Sequence, residues 1–216
     1  MIRSETTDVP PGSPLLIFPC NGNGLEALDC LGNAYRCVGF VDDTPEKQGK
    51  EAHGYPVFDR SVLAKRADAA VLAVPGSATS YQARREIIAG LGLGADRFAR
   101  VVHPSARISS LAVMGRNVLV MAGVAITSNA VIGDHVCILP NTVIHHDVVV
   151  RDWTLIGSNV TIAGSTSVGE NCYIGSGASI MNGLRIGARA LVGMGTSVIR
   201  DVPAGARVVG NPARRL

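Results

Sequence analysis

From Ile108 onward, every sixth residue is aliphatic or methionine: Ile108, Met114, Val120, Ile126, Ile132, Ile138, Ile144, Val150, Ile156, Ile162, Val168, Ile174, Ile180, Ile186, Val192 and Val198. All sixteen positions obey the rule without an insertion. With such residues at roughly a third of positions, chance would give this run about once in ten million, so the register is real. An α-helix repeats every 3.6 residues and an isolated strand every two, and neither period is six. A coil with three flat sides accounts for it. Each side is one hexapeptide, its aliphatic residue points into a narrow triangular interior, and successive coils pair in parallel. Sixteen hexapeptides make about five such coils.

A second track runs four residues behind the first: Ala112, Val118, Val124, Ala130, Val136, Thr142, Val148, Thr154, Val160, Thr166, Cys172, Ala178, Leu184, Ala190 and Thr196. These side chains are small or modest, as a cramped corner requires. Glycine often follows the aliphatic residue directly, as at Gly115, Gly133, Gly157, Gly169, Gly175, Gly187 and Gly193. Its tolerance of turn conformations is the expected reason.

The first half reads differently. Pro14 to Cys20 is an apolar run suited to a buried strand, followed by Asn21-Gly22-Asn23-Gly24 and by helical spacing over Leu25 to Leu31. Arg36 to Val41 predicts a second strand ending at Asp42-Asp43, and Ala69 to Val74 a third ending at Pro75-Gly76. A helix is expected over Thr79 to Ala89. Alternating strands and helices imply a small parallel sheet flanked by helices. The expected organisation is a flexible leader at 1–13, a Rossmann-like domain at 14–100 and a β-helix at 101–216. Glycines after a first strand let backbone approach a phosphate at a helix N-terminus, and an acid ending the second strand suits a ribose hydroxyl. The loop lacks the full GxGxxG spacing, so it argues little for NAD.

Composition narrows the function classes. Aromatics make up 4% and the net charge is +3, with no basic run that would suggest nucleic acid. Arg207, Arg214 and Arg215 could meet a phosphate or form a solvated tail. The five cysteines show no CxxC and no paired framework, which fits reduced thiols in a cytoplasmic protein. No apolar run reaches the roughly 20 residues that span a bilayer, and the acidic, Pro-Pro-Gly-bearing start does not fit a signal peptide.

The tandem [Ile/Val]-Gly-x-x-[small]-x pattern resembles the hexapeptide acyltransferases, as do Val202-Pro203-Ala204-Gly205 and Gly210-Asn211-Pro212-Ala213-Arg214. That resemblance, not the spacing, implies a left-handed helix, against the right-handed norm for parallel crossovers. With the preceding α/β segment, the chain is similar to one subgroup, the sialic acid O-acetyltransferase-like proteins and the N-acetyltransferases of nucleotide-linked 4-amino-4,6-dideoxy sugars. His103-Pro104-Ser105-Ala106 and Asp42-Asp43 match that subgroup. In the first loop Asn23 stands where the family has histidine. The resemblance implies acetyl-CoA as co-substrate, a UDP- or GDP-linked amino sugar such as GDP-perosamine as acceptor, and a homotrimer with CoA between adjacent β-helices. It assigns substrate contacts to Gly22, Asn23, Gly24, Asp42, Asp43, Pro75 and Gly76, and CoA contacts to Gly164, Gly175, Ser176 and Met194. No metal is implied.

Within Ile144-His145-His146-Asp147, His146 matches the family's catalytic histidine and His145 falls in a variable slot. A further polar residue used by some relatives falls at Leu155. The chemistry agrees. An amine attacking a thioester must lose a proton, a neutral imidazole accepts one near pH 7, and a carboxylate such as Asp147 can fix its tautomer. Gly164 matches the position of a backbone donor for the oxyanion. His103 is expected to be structural, His135 a surface corner, and Cys172 a packing residue, not an acyl carrier. Two other functions stay open. One is sugar O-acetylation with the same base. The other is a zinc hydratase of the β-helix type, which would need three converging imidazoles that the spacings of His103, His135 and His145-His146 do not favour.

Overall fold

The computed structural model describes residues 9–216. The first eight residues of the expected leader lie outside the described residues, and Ser13 already belongs to the first strand. Strands β1 (Ser13–Phe18), β2 (Tyr35–Val41), β3 (Glu51–Ala52), β4 (Tyr55–Phe58) and β5 (Ala70–Ala73) form one sheet in the order β3-β4-β2-β1-β5. Pairings β1–β2, β1–β5 and β2–β4 are parallel, as alternation with helices implied. The short antiparallel β3–β4 pair extends one edge beyond that expectation. Helices are shorter than the spacing suggested. They comprise α1 (Gly22–Glu26) running into a 3-10 turn at Ala27–Cys30, α2 (Val62–Lys65), and α3 (Arg84–Ala89) after a 3-10 turn at Tyr81–Ala83.

The rest of the chain is a three-sided prism of stacked parallel strands. One side runs through Arg100–Val102, Val118–Val120, Cys137–Ile138, Leu155–Ile156, Tyr173–Ile174, Leu191–Val192 and Arg207–Val209. The second holds Arg107–Ile108, Ala125–Ile126, Val143–Ile144, Thr161–Ile162, Ser179–Ile180 and Ser197–Val198. The third holds Val113–Met114, Val131–Ile132, Val149–Val150, Ser167–Val168 and Arg185–Ile186. Register between neighbours is 18 residues, as in Ile126↔Ile144 and Val150↔Val168, so three hexapeptides complete a coil. On the first side, Arg214–Arg215 closes the sheet by pairing antiparallel with Arg207–Val209.

Both sequence tracks point inward. The sixth-residue positions from Val120 to Val198 are buried, and the small track joins them in one core. Three threonines in that track satisfy their hydroxyls across coils: Thr142 donates to the Gly157 carbonyl at 2.7 Å, Thr154 to Gly169 at 3.0 Å and Thr166 to Met181 at 3.1 Å, whereas the buried Thr196 hydroxyl, near the last coil, finds no partner among the described residues. A buried hydroxyl without such a partner would cost about 1–3 kcal/mol.

The glycines after the aliphatic residues have a different cause from the one expected. A Cβ on Gly133 would lie 2.2 Å from the Asp152 carboxylate, and one on Gly175 would lie 2.6 Å from the Met194 amide. Close approach of the next coil demands glycine there. The left-handed turn residues come two positions later and are mostly not glycine: Asn117, Asn129, Asn141, Asp147, Trp153 and Asn159 all have positive φ. Asparagine and aspartate tolerate that region better than other side chains.

The α/β domain docks on the first side, whose outward residues Leu119, Cys137 and Leu155 share a core with Leu15, Cys30, Leu31 and Tyr35. Burying each leucine contributes about 1.5–3 kcal/mol. Polar contacts add direction to this seam. The Asn117 amide pairs with both backbone groups of Ala73, at 2.7 and 2.8 Å, extending the edge of β5. Tyr81 Oη donates to the Arg189 carbonyl at 3.0 Å, and Asn171 Nδ2 to that of Gln82 at 2.9 Å.

Two residues at this seam depart from the sequence reading. His135 is not a free surface corner. It stacks on Trp153 at 3.9 Å and meets the Phe98 edge at 5.0 Å. Burial pushes its pKa down to about 4, so at neutral pH the ring is uncharged. Its Nδ1 then accepts from Asn117 Nδ2 at 3.0 Å. Arg84, on α3, has no solvent exposure. Its guanidinium donates to the carbonyls of Pro75, Trp153 (3.0 Å) and His135 (2.8 Å), which joins the two domains through one side chain.

Candidate active site

His146 and Asp147 sit on the corner between the second and third sides, in the turn after Val143–Ile144. Neighbouring coils hold that turn. Asp147 N–H donates to the Ser128 carbonyl of one coil at 3.0 Å, and the His146 carbonyl accepts from Ser165 N–H of the next at 2.9 Å. Ile144 and Val148, both fully buried, anchor it from inside. The two functional side chains point outward, His146 being 58% and Asp147 49% exposed.

His146 Nδ1 and Asp147 Oδ2 are 2.8 Å apart. The other carboxylate oxygen, Oδ1, accepts from Asn129 Nδ2 at 3.0 Å. These hydrogen bonds, the one from His146 first, hold the Asp147 carboxyl below the usual carboxylate range. An ionised carboxylate requires the proton of a neutral imidazole to be on Nδ1, and that leaves the Nε2 lone pair open. A Cβ on Gly164, one coil on, would lie 2.6 Å from both Cε1 and Nε2. Glycine at 164 therefore makes room for the ring. The Gly164 N–H has no protein acceptor among the described residues. The corner combines an open imidazole nitrogen, a carboxylate to stabilise the imidazolium, and a free backbone donor close by. That set can accept a proton and stabilise an oxyanion.

The other expected co-substrate residues lie across the second side. Gly175, Ser176 and Met194 occupy the corner between the first and second sides, where Met194 is 74% exposed and Ser176 Oγ accepts from Ser158 N–H at 3.1 Å. One prism does not gather them beside His146.

The expected substrate residues cluster at the C-terminal ends of β1, β2 and β5, where ligands of parallel sheets commonly bind. Asn21 caps α1 by accepting from Gly24 N–H at 2.9 Å. Gly24 is obligatory, because a Cβ there would lie 2.2 Å from the Pro19 carbonyl. Gly22 is open to solvent, with nothing within 4 Å of its absent Cβ. Asn23 Nδ2 reaches the Val74 and Gly76 carbonyls at 3.5 Å, placing the first loop beside Pro75-Gly76.

Asp42 and Asp43 have different surroundings. Asp42 is buried and accepts from Cys20 N–H, Thr44 N–H and Lys47 Nζ at 2.9–3.0 Å. Burial alone would raise its pKa, but the Thr44 and Lys47 hydrogen bonds and the Lys47 charge outweigh it and hold the carboxyl low. Asp43 is exposed and paired with Arg60 through two bonds of 2.6 and 2.7 Å. Asp42 thus orders the loop, and Lys47, which also donates to the Cys20 carbonyl at 2.7 Å, is the cation beside it that sequence spacing did not single out.

The remaining candidates have structural roles. His103 Nδ1 accepts from Ser105 N–H at 3.0 Å. Cys172 is buried in the small track, its thiol pushed up to about 11 by burial, and Cys137 is likewise raised to about 11. Neither is a ready nucleophile near neutral pH. Among the described residues no group of three His, Cys, Asp or Glu side chains comes together as a metal site, and no helix is long and apolar enough to cross a membrane.

The bacterial transferase hexapeptide (six repeats) matches residues 111–146 and 129–164, a span that ends on Gly164 and contains His146. No curated protein sequence matches the chain. Among solved structures, a histidine-to-asparagine mutant of perosamine N-acetyltransferase from Caulobacter crescentus, in complex with CoA and GDP-perosamine, superposes with a TM-score of 0.82. It is 28% identical and covers 95% of this chain and 97% of its own. The acetyltransferase domain of PglB from Neisseria gonorrhoeae, in complex with acetyl coenzyme A, gives 0.82 at 26% identity over 95% and 100%. WeeI from Acinetobacter baumannii gives 0.79 at 28% identity over 94% and 99%. In repeat, prism and docked α/β domain alike, the chain is similar to these left-handed β-helix acetyltransferases, and over 111–164 it carries the hexapeptide repeat of bacterial transferases.

Proposed function

We propose that this protein transfers an acetyl group from acetyl-CoA to the 4-amino group of a nucleotide-linked 4-amino-4,6-dideoxy sugar, with His146 as general base. The observation that carries the reading is the open Nε2 of His146, backed by Asp147 at 2.8 Å and set against Gly164. Relatives in complex with CoA, acetyl-CoA and GDP-perosamine support the choice of substrates. The amine nitrogen attacks the thioester carbonyl, a C–N bond forms, and the departing proton goes to Nε2. The C–S bond then breaks, and the leaving thiolate takes that proton from the imidazolium. Gly164 N–H is the donor suited to the developing oxyanion.

The reading requires more than one chain. The His146 corner is the prism edge opposite the first side, and the chain's own α/β domain covers that first side. A second prism must bring its domain, or its Gly175–Met194 corner, to His146. A three-sided prism satisfies this for all copies at once in a closed trimer.

Thermal-shift titration with GDP, UDP and dTDP, followed by CoA-release assays with 4-amino and hydroxyl sugar nucleotides, tests the function. Stabilisation by one nucleotide and N-acetylation of its amino sugar are expected. Acetylation of hydroxyl acceptors alone would make it an O-acetyltransferase, and no transfer to any acceptor would overturn the reading. Sedimentation equilibrium should return a trimer, and a stable monomer would contradict the shared site. Gly164→Ala should lower kcat by about tenfold or more, because its methyl group displaces the imidazole from alignment. An unchanged kcat would mean that the ring does not work from this position.

A further inference from the structure

We infer that Asn129 is a positioning residue for His146, orienting the Asp147 carboxylate from one coil below, an inference that rests on His146 acting as the base. Asn129 lies 18 residues before Asp147 in the same left-handed turn position, and both have φ 59. Its Nδ2 donates to Oδ1 at 3.0 Å, while Oδ2 faces His146 Nδ1 at 2.8 Å. The carboxylate is half exposed and turns about a single side-chain torsion unless both oxygens are held. Asn129 and His146 hold one oxygen each, which fixes the carboxylate plane and with it the ring.

The turn itself does not demand asparagine. Further along the same column Ser165 and Gly183 occupy the identical position with positive φ. The amide at 129 therefore has a use beyond backbone shape. The groups around Asp147 are few: His146 beside it, neutral Asn129 on the coil before and neutral Ser165 on the coil after. Among the described residues no second charge competes with the amide for the carboxylate.

The test uses two variants of the full chain that keep the turn. Asn129→Gly removes the donor. Asn129→Asp replaces it with a second carboxylate beside the first. Asn129→Gly should lower kcat about tenfold with KM and the thermal midpoint unchanged. The acid limb of its kcat profile should move to lower pH, because imidazolium loses its aligned counter-charge. Asn129→Asp should move that limb to higher pH, since extra negative charge favours imidazolium. A residue that only shapes the turn would move neither limb. The NMR titration of the His146 ring should show the same opposed shifts whether or not an acceptor sugar is known. Wild-type kcat and coincident titrations in both variants would overturn the inference. Loss of transfer in the wild type alongside opposed titrations would instead overturn the proposed reaction and leave the positioning intact.

Discussion

His146→Ala is expected to lower kcat by about two to four orders of magnitude, the usual worth of a positioned general base. The KM for either substrate should change little. The side chain projects from a turn whose backbone bonds to Ser128 and Ser165 do not depend on it, so the thermal midpoint should stay within about 2 °C. Progress curves of CoA release for wild type and variant, with a melting curve of each, make the comparison. A kcat within about threefold of wild type would remove His146 from the chemistry. A large loss of stability would show that the ring supports the corner instead.

The second large effect concerns stability. Arg84→Ala should destabilise the protein by about 3–5 kcal/mol, because three buried carbonyls lose their donor and a cavity opens at the seam. For a chain of this size that corresponds to a fall in melting temperature of about 10 °C. The guanidinium is unusual in having carbonyl partners and, among the described residues, no carboxylate. Burial pushes its pKa down to about 10, which still leaves it charged at neutral pH. Arg84→Lys should recover only part of the loss, since an ammonium cannot match the planar fork that serves Pro75, His135 and Trp153 together. Differential scanning calorimetry of the three proteins tests this. Melting of Arg84→Ala within about 2 °C of wild type would refute it.

The prism was legible because its constraint is local and repeated. Each hexapeptide must send one aliphatic and one small residue inward, so the aliphatic signal appears sixteen times and the small one fifteen. The reason for its glycines was not legible. At Gly133 or Gly175 the obstacle is a residue of the next coil, Asp152 or Met194, and a turn preference read along the chain cannot reveal it. The His146–Asp147 pair was visible as neighbours, whereas Asn129 completes it from the coil below. Arg84 drew no reading within the helix expected over Thr79 to Ala89, because its carbonyl partners lie 9, 51 and 69 positions away. One long-range feature did leave a trace. The outward residue preceding the inward one is Leu119, Cys137, Leu155, Tyr173 and Leu191 on the first side, but Ala125, Val143, Thr161, Ser179 and Ser197 on the second. The first-side stripe packs against the α/β domain, whereas the smaller Val113, Val131 and Val149 of the third side stay at least partly exposed.

A stack of parallel rungs has no intrinsic reason to stop, since the last rung offers the next the same row of unpaired amides and carbonyls that every earlier rung offered. Here the terminal rung of one sheet is met by a reversed segment carrying two exposed arginines, Arg214 and Arg215. Reversal breaks the register that an incoming rung would copy, and adjacent like charges repel a second molecule approaching end-on. The same arginines, open in the sequence to a phosphate contact or a solvated tail, lie on the strand that closes this sheet.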